Sequence, residues 1–354
     1  MKKKKIIWLI TLILSLVVIL SAATAVTASS VKTWKVFMTC APQAGWTEIN
    51  LPKFLKGAEE ATGGKLKFEI FFSGEHPYKM GEILKAVKDG VTEVGEIGCG
   101  YVANIEPRAA VIELPMLFPN ADFQLYKEIL DDLRREYFPS IWDKWNAVEL
   151  VPQAWAAQQF FHRSKFLENW DSFKGDRIRS WSTPVGDLIK LVGATPVNVA
   201  FDEVYTGLQT GLFDGLMTDI GPAYETRLLE PAKYVSYISS QWCFRPLLVN
   251  KNALEELPSD VRDALMGYMH ANAEWWYLGM ARANSQAIED AIMYDQAKVH
   301  PVPITFWNEI RDRSYEAIWK PWIERMGPQG EEAFNNIAKI IIERGYTVPG
   351  YKIK

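Results

Sequence analysis

"PSDVRDALMGYMHANAEWWYLGMARANSQAIEDAIMYDQAKVH", residues 258–300, decides how this chain is put together. Pro258 precedes the stretch, Ser259 is suited to cap it, and no further proline interrupts it before Pro301. Val261, Ala264, Leu265, Tyr268, Ala271, Trp275, Leu278, Ala281, Ala287 and Ala291 recur mostly three or four residues apart, the period of a helix with an apolar face. About 40 residues at ~1.5 Å each make a helix of roughly 60 Å. A lobe of ~150 residues is only about 40 Å across, so the helix has to run past one lobe and onto another. Gly267 and Gly279 are the places where it would break if it were two pieces.

Outward from this helix, two stretches share one grammar. In the first, a short apolar strand at 34–38 precedes a helix with Leu51, Phe54, Leu55 and Ala58 on one face, closed by Gly63-Gly64. "KLKFEIFF" then alternates Leu66, Phe68, Ile70 and Phe72 as a strand; a helix over 82–88 and a strand over 94–97 follow. In the second, "RIRSW" reads as a strand, "GDLIKLVG" as a helix closed by Gly193, "TPVNVA" as a strand and "DEVYTGLQTG" as a helix. Strands alternating with helices predict a parallel α/β sheet in each. The expected fold is therefore α/β, with two α/β lobes joined by the long helix. We divide the chain into 1–28 as signal peptide, 29–156 plus 244–282 as lobe I, 157–243 plus 283–326 as lobe II, and 327–354 as a C-terminal helix and tail. That last helix carries Phe334, Ile337, Ile340 and Ile341 on one side.

Lysines at 2–5 and an apolar run over 6–20, diluted only by Thr11 and Ser15, predict a secretory signal peptide. The run is short for a bilayer span, which needs about 20 apolar residues. Cleavage is expected after Ala25 or Ala28, leaving no stable membrane insertion. No Cys follows the run, which argues against a lipid anchor. With 39 basic and 43 acidic residues the chain is acidic, more so without its leader lysines, and an acidic exported protein is a poor partner for nucleic acid. Cys40, Cys99 and Cys243 are too few for a disulfide framework and read as small buried residues, although one pair is compatible with an oxidising compartment.

Motifs of catalysis are missing: there is no G-x-S-x-G, H-E-x-x-H, Walker loop or G-x-G-x-x-G. Gly98-Cys99-Gly100 is too short to carry a nucleotide claim, and the four histidines lack metal-ligand spacing. The fourteen tryptophans fit a ring-lined cleft and also a large core.

A series of segments in order carries a family resemblance: "TGGKLKFEIFFSGE", "GEILKAVKDGVTEVGEIGCGY", "ELPMLFPN", "FKGDRIRSWSTP", "GATPVNVAFDEVYTGLQTGLFDG" and "LLVNKNALEELPSD". Together they resemble the solute-binding proteins of tripartite ATP-independent periplasmic (TRAP) transporters. The fifth is the most specific, with Phe201, Glu203-Val204-Tyr205, Leu208-Gln209-Thr210-Gly211 and Asp214-Gly215. The resemblance implies a deep cleft between the lobes, hinge strands joining them, and an arginine after the Lys174-Gly175 turn that pairs with the carboxylate of the solute. It falls on Arg179. Strand alternation alone puts Arg177 and Arg179 on one face and does not choose between them. Arg179 is the later residue, and ligands of open α/β sheets bind beyond the carboxyl ends of strands. Its planar guanidinium offers two parallel, charge-assisted donors.

The family's companions are changed. Gln159 stands where many relatives have a second arginine, and Thr218, followed by Asp219, where an asparagine is common. These departures speak against a plain C4-dicarboxylate or sialic acid. Gln158 and Asp219 somewhat resemble a subgroup in which a glutamine and an acid hold a metal ion against the solute. Alternatively, Asp219 meets a cationic or hydroxylated part of the solute, or pairs with Arg179. Trp155, Phe160, Trp181, Tyr224 and Trp242 are candidate cleft rings. The expected function is a non-enzymatic periplasmic solute-binding protein that captures a small organic carboxylate by lobe closure and delivers it to TRAP permease subunits, with no obligatory cofactor. An input protein for a sensor kinase and a secreted enzyme are the rival readings.

Overall fold

The computed structural model describes residues 31–40, 45–119, 123–295 and 297–352; the expected signal peptide lies outside them. Strands β1 (Lys32–Phe37), β2 (Leu66–Phe71), β3 (Val94–Glu96), β4 (Ala147–Val151) and β12 (Leu247–Asn250) form one sheet in the order β2-β1-β3-β12-β4. β1 runs parallel to β2 and β3, because the helices Gly45–Ala61 and Ile83–Lys88 carry the chain back between strands. A second sheet contains β6 (Gln159–His162), β7 (Arg177–Ser180), β8 (Thr195–Asn198), β9 (Gly215–Thr218), β10 (Tyr234–Tyr237) and β13 (Lys298–Pro301), in the order β13-β10-β6-β9-β7-β8.

Neither sheet is wholly parallel, which corrects the expectation from the strand-helix alternation. β12 lies antiparallel to β3 and β4, and β6 lies antiparallel to β9 and β10. Both are the first strands formed after the chain has crossed from the other lobe. They arrive without a crossover helix, so nothing forces the parallel direction. At the crossing itself β5 (Ala154–Trp155) pairs antiparallel with β11 (Cys243–Phe244), Trp155 opposite Cys243.

The long helix is continuous over Ser259–Met293, 35 residues, with Pro258 at its cap position and Ser259 already helical. At ~1.5 Å per residue it spans about 52 Å. A Cβ on Gly267 would meet nothing within 4 Å, so that glycine sits on the open face and leaves the helix intact. Val261, Leu265, Met269 and Trp276 are buried with Leu51, Phe54 and Leu55 against the first sheet. Ala287 and Ala291 are buried with Val204, Leu208 and Ala223 against the second. Fully burying a large apolar side chain is worth about 1.5–3 kcal/mol, so the first half holds firmly while the alanines of the second half allow close approach.

The chain ends in helices Ile304–Ser314 and Lys320–Glu343, the latter kinked at Gly327, whose φ is 64°. Phe334, Ile337 and Ile341 are buried in a core that also holds Leu117 and Tyr126 from one lobe and Ile178 and Leu188 from the other. Trp319 Nε1 donates to Pro115 O at 2.8 Å, and Arg325 reaches Asp187 at 3.0 Å, so these helices hold to both lobes.

Candidate functional site

β7 runs to Ser180, and Ser182 caps the helix Thr183–Leu191 that follows, accepting from Val185 N. Arg179 sits opposite Val197 of β8 and Leu216 of β9 and is only 2 % exposed. Its Nε donates to Val199 O at 2.9 Å and its Nη1 to Met217 O at 3.4 Å, which fixes the plane of the guanidinium. The rings of Trp181 and Phe201 lie 5.6 and 5.7 Å from its central carbon. Arg177, one strand pair earlier, is half-exposed, bonds Asp214 at 3.4 Å and donates to Gly211 O at 2.8 Å. Depth along the strand thus separates two arginines that share a face.

The remaining candidates gather at the start of β6 and the end of β9, where Gln159 pairs with Thr218. Gln158 Nε2 donates to Asp219 Oδ2 at 3.3 Å. Gln159 turns away toward the hinge: its Nε2 donates to Ser239 Oγ at 3.2 Å, and its Oε1 accepts from Ser239 N at 2.8 Å. Thr218 and Asp219 are both buried, and Asp219 Oδ1 has no hydrogen-bond partner among the described residues. Burial pushes the Asp219 carboxyl up to about 7, against the pull of Arg245 and with a further push from Glu225. The cation that acts on Asp219 is therefore Arg245 of the hinge. Among the candidate rings, Trp181 is half-buried at the lobe boundary. Phe160 packs edge-on against Phe173 at 5.0 Å, and Trp242 stacks on Tyr126 at 5.1 Å. Trp155 stacks on Arg245.

Sequence reasoning did not single out Arg245 or the groups around it. Arg245 follows β11 directly, and its guanidinium lies 4.1 Å from the Trp155 ring and 5.3 Å from the Tyr101 ring. Its Nη1 donates to Thr39 Oγ1 at 3.1 Å. Thr39 bonds Glu96 in turn through its hydroxyl and its amide, and Gln153 Nε2 donates to the other Glu96 oxygen at 3.1 Å. Glu113 accepts from Phe244 N at 3.0 Å, and burial raises its carboxyl to about 7 against Arg245 and the amides of Gly100 and Phe244. A Cβ at Gly100 would stand 2.2 Å from Glu113 Oε2, so only glycine lets that carboxylate reach the backbone. The available signal was a lone charge in the apolar run "WCFRPLLV". Such a charge is either paired or functional.

Between the lobes lies a cavity of about 160 Å³ lined by Gly100, Tyr101, Ala103 and Asn104 from one side and by Trp181, Ser182, Thr183 and Asn198 from the other. A narrower space beside it is lined by Glu113, Gln241, Trp181 and Trp322. Tyr101 joins this space to Arg245 and Trp181 joins it to Arg179. Both walls carry a guanidinium behind a ring. Gln158 and Asp219 are together as the metal-bridging resemblance implied, but Gln158 presents its N–H to the acid. Among the described residues no group of three or more His, Cys, Asp or Glu side chains is placed to hold a metal. Two side chains do not make a closed metal site. The three cysteines are buried and free. No helix among the described residues is long and apolar enough to cross a membrane.

Comparison with known proteins places the fold. A solute-binding protein of Albidiferax ferrireducens is 26% identical over 277 residues, 76% of this chain and 79% of its own. The ectoine-binding periplasmic protein TeaA of Halomonas elongata is 22% identical over 268 residues, 72% of this chain and 77% of its own. Among solved structures, DctP7 of Bordetella pertussis, an extracytoplasmic solute receptor binding pyroglutamic acid, superposes with a TM-score of 0.76 at 20% identity, covering 86% of this chain and 99% of that one. A TRAP periplasmic solute-binding protein of Chromohalobacter salexigens with bound D-glucuronate gives 0.76 at 19% identity, covering 87% and 99%. The two-lobed fold is theirs. The profile of the bacterial extracellular solute-binding proteins, family 7, matches residues 38–321, most of the chain, and the chain belongs to that family.

Proposed function

We propose that this solute-binding protein captures a small organic carboxylate between its lobes in the periplasm and hands it to a TRAP membrane permease. The observation that carries the reading is Arg179: a buried guanidinium at the carboxyl end of a strand, its plane set by two backbone carbonyls, behind the wall of an interlobe cavity. Charge-assisted donors in a dry site bind a carboxylate more strongly and more directionally than neutral ones. That pyroglutamate and glucuronate are the solutes named for similar structures supports an acid.

Gln158, Gln159, Thr218 and Asp219 tune the choice of solute in this reading. The buried, unpartnered Asp219 Oδ1 favours a solute that carries a hydroxyl or another N–H or O–H donor beside its carboxylate. Lobe membership follows the sheets, with β1 to β4 and β12 in lobe I and β6 to β10 and β13 in lobe II, which supports the division at 156/157 and 243/244. A solute that touches both lobes binds the closed form more tightly and shifts the population toward it. The permease then recognises the closed form, and the solute is released chemically unchanged.

A thermal-shift screen across organic acids tests this. At 100 times Kd the true solute is expected to stabilise the protein by about 2.7 kcal/mol. Arg179→Ala should abolish that shift and leave the unliganded protein folded. An equal shift in the variant would sink the anchor assignment, and conversion of the solute on incubation would sink the binding-protein reading.

A further inference from the structure

Arg245 is a buried cation with a face to spare. It is 9 % exposed, and among the described residues its one side-chain hydrogen bond is from Nη1 to Thr39 Oγ1. Nε is buried and has no partner among those residues. Among the described residues no carboxylate lies within salt-bridge distance of it. Nε and Nη2 form the side-on edge of a guanidinium, the edge that takes two parallel acceptors. Among the described residues that edge makes no hydrogen bond. Removing such a group from water without a partner costs several kcal/mol, and folding alone gives no return for it.

The surroundings hold the group in place for something else. Trp155 and Tyr101 fix the plane at 4.1 and 5.3 Å, and Thr39 ties one end through Glu96. Tyr101 belongs to the cavity wall. Arg245 follows the hinge pair β5–β11 on the lobe I side, whereas Arg179 stands in the lobe II sheet. We propose that Arg245 is a second anchoring residue, whose Nε and Nη2 edge receives a second acceptor group of the solute, a distal carboxylate or carbonyl, while the first carboxylate rests on Arg179. The proposal builds on the reading of Arg179 above and gives the solute two ends, one for each lobe. It also supplies the differential contact that closure needs, since only the closed form brings both guanidinium groups to one small molecule.

The experiment uses the purified protein and pairs of acids that differ only in the distal group: succinate with butyrate, 2-oxoglutarate with 2-oxovalerate, and 4-oxopentanoate with pentanoate. Affinities are measured by calorimetry for wild type, Arg179→Gln, Arg245→Gln and Arg245→Lys. Wild type should prefer the acid with both acceptor groups, and Arg245→Gln should weaken that acid about tenfold to a hundredfold. Its truncated partner should be affected far less, so that the preference collapses. Arg245→Lys should keep part of the affinity and lose the orientation. Equal weakening of both members of a pair, or none, overturns the proposal while Arg179→Gln still reports on the first anchor. Should Arg245→Gln fail to fold, the wild-type preference decides: no preference within any pair overturns the proposal. If no acid binds wild type, both readings fall.

Discussion

Two buried arginines without a carboxylate beside them make opposite use of their donors. Arg311, on the helix Ile304–Ser314, gives Nε to Met116 O at 3.2 Å and Nη2 to Leu117 O at 3.2 Å and Thr347 O at 2.6 Å. It closes loose backbone: Met116 has a φ of 63° and leaves its carbonyl outside any ladder, and the C-terminal tail is fastened to lobe I at the same point. Arg245 has one polar contact, two rings and an idle edge. Burial lowers the Arg311 pKa to about 10. For Arg245 burial pulls the same way, but Tyr101, Glu96, Cys243 and Glu113 outweigh it and raise the value. One arginine is satisfied by carbonyl dipoles and finishes the fold. The other is held between two rings and, among the described residues, leaves one edge unbonded.

That contrast breaks most easily at Arg311. Arg311→Ala leaves three carbonyls without their donor and should cost about 4 kcal/mol in urea unfolding, with solute affinity per folded molecule unchanged. Arg179→Gln should behave in the opposite way, lowering solute affinity by about 3 kcal/mol, more than a hundredfold, with a small change in unliganded stability. Calorimetry alongside urea titration separates the two.

Asp219 tests whether a buried acid of the site is strained without solute. Its folded pKa, about 7, lies above the unfolded value, so the folded form holds the extra proton. Its contribution to stability is present below about pH 4 and is lost as pH rises toward 7. Asp219→Asn should therefore flatten the fall in unliganded stability over that range by up to about 1.4 kcal/mol per pH unit. A slope unchanged from wild type would mean that Asp219 is hydrated in solution. Glu113 has the same sign and remains in the variant. Smallest of all as a loss, Arg245→Gln should cost no unliganded stability, because it removes a buried charge and only one hydrogen bond. A loss as large as that of Arg311 would place both arginines in the structural class.

The long helix, the strand-helix grammar and the strand that carries Arg177 and Arg179 were legible because each rests on a short-range pattern: a helical period, a strand alternation, a turn followed by alternating residues. β4, β6, β9, β10 and β12 were not read as strands. β6, β9 and β12 are buried runs such as "GLMT" and "LLVN", which lack alternation because both faces are covered, and β4 and β10 are short, partly buried runs. The mixed direction of the sheets was hidden for a related reason, since a lobe crossing carries no local mark. Gln159 was read as a replacement for an arginine facing the solute, but its amide is taken up by Ser239, 80 residues away. Trp242 and Phe160 are rings near the site in sequence and lie in the core in space.

By itself the sequence determined two α/β units and the helix that must span them, because these follow from periodicity and chain length, and it put two arginines on one face of a strand without choosing between them. Only the tertiary structure decided which groups face one another across the hinge. Thr39, Glu96, Tyr101, Glu113, Trp155 and Arg245 come from separate stretches of chain. Their assembly depends on where β12 enters the first sheet and on the pairing of Trp155 with Cys243, which are long-range contacts that no local spacing encodes.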